Sequence, residues 1–283
     1  MSALTSTKHQ LDRRQILNAL KAFRNGDFSV RIENDFDGLD SQIADTFNQI
    51  VELNDQATRE LERLSRAYRI GEEIYREVMA VVNKRAGEVT VGEIRGMQMA
   101  MATRAGCPPL HFGYVFGQSA KKRAWDMSAD WTSQTIDPGD TLLLDLGLIW
   151  RGYTTDFGRN AYVGRAPAEL RDLHQLMVEC REAIAQLLRP GVAVRQVHAA
   201  ANDARKRLGL PPREGIGHSL GIECHEYPIL SATDEGVLEE GMTIVIELVE
   251  HAGPVAFLLE DAGLITPTGW ESICRMGTEL VEL

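Results

Sequence analysis

The sequence predicts an α+β fold with internal pseudo-two-fold symmetry, preceded by a parallel two-helix coiled-coil segment. Two patterns support this prediction. The first quarter of the 283 residues carries apolar positions at coiled-coil spacing, and the remainder contains a repeated pattern of helix, glycine turn, helix and strand. We therefore predict an N-terminal helical module over residues 11–66 and a C-terminal domain over residues 67–283.

Charge and composition exclude several classes of protein. The formal net charge of -11 and the pI near 5.2 argue against a nucleic-acid surface, which requires clustered Lys and Arg. The four cysteines are scattered without CxxC spacing, so neither a disulfide framework nor a thiolate zinc site is indicated. There is no apolar run of about 18 residues and no signal-peptide pattern at the N-terminus. We expect a cytoplasmic protein with no membrane span and no nucleic-acid partner.

The N-terminal module begins with a short helix that carries Ile16, Leu20 and Phe23 at spacings of four and three and ends at Asn25-Gly26. An extended connector, DFSVRIENDFDGLD, follows. The next helix has seven positions at alternating spacings of four and three, which is the pattern of a coiled-coil seam. These positions are Ile43, Phe47, Ile50, Asn54, Ala57, Leu61 and Leu64.

The segments LKAFRNGDFSVRI and DFDGLDSQIADTFNQIVELN together resemble the HAMP signal-relay module. The resemblance implies a homodimeric, parallel four-helix bundle that passes conformational changes between neighbouring domains. HAMP modules usually follow a transmembrane helix, which this sequence does not show. The module is therefore expected to be a relay without a membrane helix or a dimerisation clamp. A plain amphipathic hairpin without a signalling role is the alternative.

The C-terminal domain contains an internal repeat. The segment Arg85-Ala86-Gly87 can be laid over Arg189-Pro190-Gly191, and in both copies a valine lies 15 residues before a closing glycine, Gly106 or Gly209. An apolar helix precedes each copy and a strand-like stretch follows it. Two such units predict strands that meet at the centre with helices outside them.

Five side chains of the kinds that bind metals lie in order in the C-terminal half of the chain: Asp145, Asp156, His218, Glu247 and Glu260. Apart from the histidine they lie in apolar, strand-like sequence, where an unpaired carboxylate would be too costly to bury. Two antiparallel strands joined at IWRGY bring both aspartates to one face, and a hairpin turning at Ala252-Gly253-Pro254 pairs both glutamates. Four carboxylates and one imidazole suit a pair of divalent ions that activate water for hydrolysis.

The motifs GDTLLLDLGLIWRGYTTDFGRNAYVG, GIGHSLGIECHEYP, LEEGMTIVIE and LEDAGLIT make residues 68–283 similar to the pita-bread metallopeptidases. This family includes methionine aminopeptidase, aminopeptidase P and prolidase, and also the non-peptidase creatinase. The resemblance implies two divalent metal ions, Mn, Co, Zn or Fe, and a bridging water as the nucleophile.

The resemblance also implies a role for each residue. Asp156 and Glu260 bridge both ions, Asp145 completes one ion, and His218 with Glu247 completes the other. Glu247 is the expected proton acceptor. His225, seven residues after His218, matches the second histidine of the family motif, which contacts the substrate carbonyl or stabilises the tetrahedral intermediate.

The sequence departs from the family pattern at three places. The segment FGQSAKKRAWDMSADW lacks the histidine that usually precedes the first aspartate, Leu248 replaces a proline, and Leu258 replaces an arginine. Trp125 and Trp131 are candidates for a lid or wall of the substrate pocket, with simple packing as the alternative. These departures affect the predicted substrate pocket and leave the predicted metal ligands in place.

The sequence thus predicts a dinuclear metal-dependent hydrolase, of the aminopeptidase or Xaa-Pro dipeptidase kind, that cleaves an amide bond in a short peptide or small amide. The first alternative is a creatinase-like enzyme that acts on a small C–N compound. The second is a pseudoenzyme in which a HAMP relay is joined to a ligand-sensing domain. A homodimer is expected from the predicted coiled-coil seam.

Overall fold

The structure is a computed structural model that describes residues 10–107, 113–119, 122 and 131–283. The helices are α1 (Arg13–Arg24), α2 (Leu39–Arg85), α3 (Val91–Arg104), α4 (Ala168–Ala185) and α5 (Val194–Arg207). The strands are β1 (Gly113–Gln118), β2 (Thr141–Leu146), β3 (Ile149–Trp150), β4 (Tyr153–Thr154), β5 (Phe157–Tyr162), β6 (Gly215–Ser219), β7 (Glu226–Ser231), β8 (Thr243–Ala252), β9 (Val255–Thr266), β10 (Gly269–Ser272) and β11 (Val281–Glu282).

The chain divides into two compact units, Met1–Arg63 and Leu64–Leu283. Both this division and the boundary predicted at residues 66 and 67 lie inside α2, which continues without a break for 47 residues. None of the helices in the described ranges has an apolar stretch of bilayer-spanning length.

The N-terminal unit is built on α1, the connector and the first part of α2. The side chain of Asp12 caps α1, which ends at Arg24 with Asn25 as its C-cap, so the predicted helix end is confirmed. The connector is fixed by Asn48, whose side chain donates to the carbonyl of Ile32 and accepts from its amide, at 2.8 and 2.9 Å. A small apolar core lies between these elements: Leu11, Ala19, Ile32, Ala44, Phe47 and Val51.

Most of the predicted seam lies on the surface of this chain. Of the seven seam positions, Phe47 and Leu64 are buried, and the other five are exposed: Ile43, Ile50, Asn54, Ala57 and Leu61. Leu17 and Leu20 of α1 are also about half exposed. Neither unit of the single chain therefore buries the middle of the seam, and the HAMP-like dimer stays a prediction.

The C-terminal unit is organised by one sheet of nine described strands. Its order is β1-β2-β5-β9-β8-β6-β7, with β10 beside β9 and β11 beside β5, and β3 with β4 forms a separate small hairpin. Helix α3 packs on β1, and α4 packs on β8 and β9. Two apolar cores result, one around Tyr68, Ile94 and Leu144, and the other around Met177, Val197 and Ile246.

The predicted internal repeat is visible in matching backbone hydrogen bonds. The amide of Gly87 donates to Ile136 at 2.7 Å, and at the equivalent place the amide of Gly191 donates to Leu238 at 2.8 Å. The closing glycines agree as well, because Gly106 and Gly209 have φ of 81° and 77°. Both copies therefore use glycine where the chain leaves a helix in the left-handed conformation.

The two halves meet where β5 runs beside β9. Their only registered backbone pair is Gly158 with Glu260, and a Cβ at Gly158 would lie 2.4 Å from the side chain of Leu258. Next to this pair, the buried amide of Asn160 donates to the carbonyl of Leu258 at 2.8 Å and accepts from its amide at 3.1 Å. A side chain thus replaces the backbone ladder at the centre of the sheet.

Candidate metal centre

Three of the predicted site residues lie in one row across the centre of the sheet. Asp145 in β2 pairs with Gly158 in β5, Gly158 pairs with Glu260 in β9, and Glu260 pairs with Glu247 in β8. Residues directly opposite on antiparallel strands point to the same face. The structure therefore confirms that the two glutamates pair across the β8–β9 hairpin, and it brings Asp145 to the same face.

Asp156 joins this row from the turn that leads into β5. Its backbone is fixed by Tyr68 of α2, whose hydroxyl lies 3.1 Å from both the amide nitrogen and the carbonyl oxygen of Asp156. Tyr68 is completely buried and Asp156 is 2% exposed. The aspartate is consequently held in a defined position before any ligand binds.

His218 comes from β6 at an irregularity in its pairing with β7. The preceding Gly217 has φ of 148°, and a Cβ there would lie 1.9 Å from the carbonyl oxygen of Val245. Only glycine can occupy this position without moving the backbone. This close approach allows β6 to place the imidazole of His218 over the carboxylates.

The ligand atoms of these residues form three groups in which all atoms lie within 4.8 Å of one another. The groups are Asp145 with Asp156 and Glu260, His218 with Glu247 and Glu260, and Asp156 with His218 and His225. From Nε2 of His218 the carboxylate oxygens of Asp156, Glu260 and Glu247 lie at 3.6, 3.9 and 4.0 Å. All five predicted metal-binding side chains therefore converge.

Two buried polar atoms of this cluster have no hydrogen-bond partner among the described residues: Oδ1 of Asp156 and Nε2 of His218. The other ring nitrogen of His218, Nδ1, lies 2.9 Å from the carbonyl oxygen of Ser219. A carbonyl can only accept, so the proton of the neutral ring is on Nδ1 and Nε2 carries a lone pair. Nε2 thus faces the carboxylates as an electron-pair donor.

Burial and mutual repulsion shift the pKa of every acid in the cluster upward. Burial, followed by the charges of Asp156 and Glu247, raises the pKa of Asp145 to about 8. Burial raises the pKa of Asp156 to about 7, and burial also raises the pKa of Glu247 and holds that of Glu260 well above its usual range. Burial lowers the pKa of His218 to about 4. The cluster is unfavourable as a set of charges without a cation.

The residues predicted to contact the substrate are placed differently. The ring of His225 is exposed and its centroid lies 4.1 Å from that of His218. Trp131 lies in a short 3-10 helix, and its ring centroid is 5.7 Å from that of Phe116 in β1. The guanidinium of Arg95 lies over its ring. Trp125 lies outside the described residues.

Three side chains that support the cluster were not predicted from the sequence. Besides Tyr68, the thiol of Cys224 lies 3.0 Å from Oδ2 of Asp156, and the guanidinium of Arg159 donates to the carbonyl of Glu260 at 2.7 Å. Burial and the nearby carboxylates raise the pKa of Cys224 well above its usual range, so the thiol stays protonated. It donates a hydrogen bond to the carboxylate of Asp156. For Cys224 and Arg159 the available signal was adjacency to motif residues, since Cys224 precedes His225 and Arg159 follows the DFG segment. Tyr68 lies 88 residues from Asp156 and has no such signal.

The donor set fits divalent metal ions. No Lys or Arg among the described residues forms an ion pair with Asp145, Asp156, Glu247 or Glu260, and the unpaired atoms of Asp156 and His218 face this group. Carboxylate oxygens with one imidazole nitrogen are ligands that suit hard and borderline divalent ions. Bound cations would offset the repulsion that raises the pKa values of these acids.

Known proteins resemble this chain over most of the C-terminal unit. An Xaa-Pro dipeptidase of Pyrococcus furiosus is 30% identical over 155 residues, which are 53% of this chain and 44% of that protein. The uncharacterized peptidase YqhT of Bacillus subtilis is 25% identical over 233 residues, 81% of this chain and 64% of that protein. The chain therefore spans less than two thirds of the length of these relatives.

The structure of an X-Pro aminopeptidase from Thermotoga maritima superposes with a TM-score of 0.70 at 20% identity, covering 80% of this chain and 63% of that chain. This likeness confirms the pita-bread fold predicted for the C-terminal unit. Residues 62–279 match the family model of metallopeptidase family M24. Because this match spans nearly the whole unit that carries the five converging side chains, the chain belongs to metallopeptidase family M24.

Proposed function

We propose that this protein is a metal-dependent hydrolase that cleaves an amide bond in short peptides. The observation that carries the proposal is the convergence of four carboxylates and one imidazole on one face of the sheet, with no cationic partner for the carboxylates among the described residues. A buried cluster of this kind has a large cost unless cations are bound, and hydrolytic metal centres use this donor set.

Asp145, Asp156, His218, Glu247 and Glu260 are the proposed ligands of two divalent ions. Two of the observed groups support this count, because Asp145 with Asp156 and His218 with Glu247 each lie beside the same Glu260. A carboxylate shared by both groups is what a bridging ligand requires. When bound, the ions supply Lewis acidity that polarises a carbonyl and lowers the pKa of water.

The chain's own residues contribute proton transfer and positioning. Glu247 is the proposed proton acceptor, and its side chain is 37% exposed, so solvent reaches it. His225 is exposed next to His218 and can donate a hydrogen bond to the substrate carbonyl oxygen. Trp131 is the described candidate for a wall of the substrate pocket, with Phe116 behind it.

Xaa-Pro dipeptides are the first substrates to test, since two of the three proteins compared above are an Xaa-Pro dipeptidase and an X-Pro aminopeptidase. The apolar Leu258 stands where the family usually has an arginine, and it packs in a cluster with Phe116, Leu143 and Ala256. A creatinase-like reaction on a small C–N compound is the alternative that a peptide panel separates.

The proposal is tested by elemental analysis after loading with Mn, Co or Zn, followed by hydrolysis assays on a dipeptide panel. We expect about two ions per chain and hydrolysis of at least one Xaa-Pro peptide. Asp156→Ala and Glu260→Ala should lose metal, whereas Asp203→Ala, an exposed acid on α5, should not. Full metal occupancy in either site variant contradicts the ligand assignment, and two bound ions without peptide hydrolysis favour the small C–N substrate.

We also propose that the N-terminal module, residues 11–66, forms a homodimer through the exposed seam and thereby acts as a clamp or relay. Burying Ile43, Ile50 and Leu61 against a second copy removes apolar side chains from water at coiled-coil spacing. Light scattering after size exclusion should give twice the chain mass. Ile50→Glu should give monomer and the neighbouring exposed Gln49→Glu should not, and a monomeric wild-type chain overturns this part of the proposal.

A further inference from the structure

The contacts of Asp156 divide into two sets. Tyr68 holds the backbone of the residue, at 3.1 Å to its amide nitrogen and 3.1 Å to its carbonyl oxygen. Cys224 holds the side chain, because its Sγ lies 3.0 Å from Oδ2. The remaining oxygen, Oδ1, is buried and has no hydrogen-bond partner in the part of the chain that the structure describes. Among the described residues outside the five-residue cluster, the thiol of Cys224 is thus the group that hydrogen-bonds to this carboxylate and helps to set its rotation.

The segment that carries Cys224 is itself firmly held. The carbonyls of Gly221 and Ile222 accept from the amide and the hydroxyl of Thr154, at 2.8 and 2.9 Å. The carboxylate of Glu226 accepts from the amide of Glu223 at 2.9 Å. Cys224 is 5% exposed, so water does not replace it as the partner of Oδ2.

We infer that Cys224 is a positioning residue for the metal centre, in which its thiol donates to Oδ2 of Asp156 and orients that carboxylate toward the ions. The inference rests on the proposed function, because it assigns a role toward the same metal site. Groups that hydrogen-bond to metal ligands commonly change metal affinity by 10- to 100-fold. A thiol is a weak donor, so we expect a loss of about tenfold, at the lower end of that range.

The thiol acts here as a donor and not as a metal ligand. Among the described residues, the groups of His, Cys, Asp and Glu whose ligand atoms lie within 4.8 Å of one another do not include Cys224. Its contact is with one oxygen of one ligand. A thiol that donates to Asp156 and a thiol that binds a metal ion differ in their spectra when Co²⁺ is bound.

The matched variants are Cys224→Ala and Cys224→Ser, which differ only in a hydroxyl donor. Calorimetric titration of the full-length, metal-free protein with Mn²⁺ should show affinity reduced about tenfold in the alanine variant and largely restored in the serine variant. Cys180→Ala, which removes a buried thiol beside α5, serves as the control. Thermal unfolding of each metal-free variant shows whether any change reflects folding.

The absorption spectrum of the Co²⁺-loaded protein provides a readout that does not depend on activity. We expect no sulfur-to-cobalt charge-transfer band in the wild type, since the thiol donates to Asp156 and does not bind the ion. Equal Mn²⁺ affinity in wild type and both variants overturns the positioning role, and a charge-transfer band lost in Cys224→Ala overturns the donor assignment. Failure of the wild type to bind any divalent ion instead overturns the proposed function.

Discussion

Replacing Asn160 by alanine should destabilise the C-terminal unit strongly, because this side chain replaces the backbone ladder between β5 and β9. Its amide makes two hydrogen bonds, to the carbonyl and the amide of Leu258, and the residue is 1% exposed. Each buried backbone group left without a partner costs about 1–3 kcal/mol. Two such groups give an expected loss of about 2–6 kcal/mol, a large part of the about 5–15 kcal/mol that stabilises a typical domain.

Urea unfolding followed by tryptophan fluorescence measures this loss, since all four tryptophans lie at or beyond residue 125. Gln175→Ala is the matched control, because it removes the same amide group from an exposed position where, among the described residues, its hydrogen-bond partner is Glu179. We expect the control to change the free energy of unfolding by less than about 0.5 kcal/mol. A change below about 1 kcal/mol in Asn160→Ala would show that β9 finds other partners and would refute the reasoning.

Three further outcomes are expected. Gly217→Ala should destabilise the protein and abolish metal binding, since a Cβ would lie 1.9 Å from a backbone oxygen and φ is 148°. Gly215→Ala in the same strand is the control and should do neither, because a Cβ there would have no atom within 4 Å. Thermal unfolding and metal titration of both variants measure these effects. Because the pKa of Asp145 is raised to about 8, the folded metal-free protein holds more protons than the unfolded chain. Its melting temperature should therefore fall as the pH rises from about 6.5 to 8, less steeply in Asp145→Asn, and a melting temperature that rises over this range contradicts the assigned pKa. Arg159→Met should cost about 1.5–3 kcal/mol in urea unfolding, because it removes a charged hydrogen bond to Asp261 while Arg181 still pairs with that acid. A loss under about 1 kcal/mol would show that the pair with Arg159 is not needed.

Local sequence patterns predicted those features that depend on neighbours along the chain. The end of α1 at Asn25, the β8–β9 hairpin that pairs Glu247 with Glu260, and the glycine-closed repeat ending at Gly106 and Gly209 all follow from short-range turn chemistry and strand periodicity. The convergence of the five site residues required only that these strands share one sheet. These features are set by rules that operate over a few residues.

The features that sequence did not predict depend on contacts between distant residues. Tyr68 and Cys224 meet Asp156 from 88 and 68 residues away, and neither has a periodic signal of its own. Helix α2 continues through the predicted boundary at residues 66 and 67, because no helix-breaking residue lies there. Such long-range contacts are fixed by the sheet order, which a single sequence does not contain.

Two neighbouring acids in β9 show why a cation is needed at the proposed site. Asp261 points to the opposite face from Glu260, and there it is paired with Arg159 at 2.5 Å and Arg181 at 3.0 Å. The chain therefore supplies two guanidinium groups to neutralise one buried acid. One residue earlier, Glu260 is 3% exposed among three other carboxylates, and no Lys or Arg of the described residues pairs with it. A fold that neutralises Asp261 so completely leaves Glu260 and its neighbours to be neutralised from outside the chain, which is the physical basis for proposing bound metal ions.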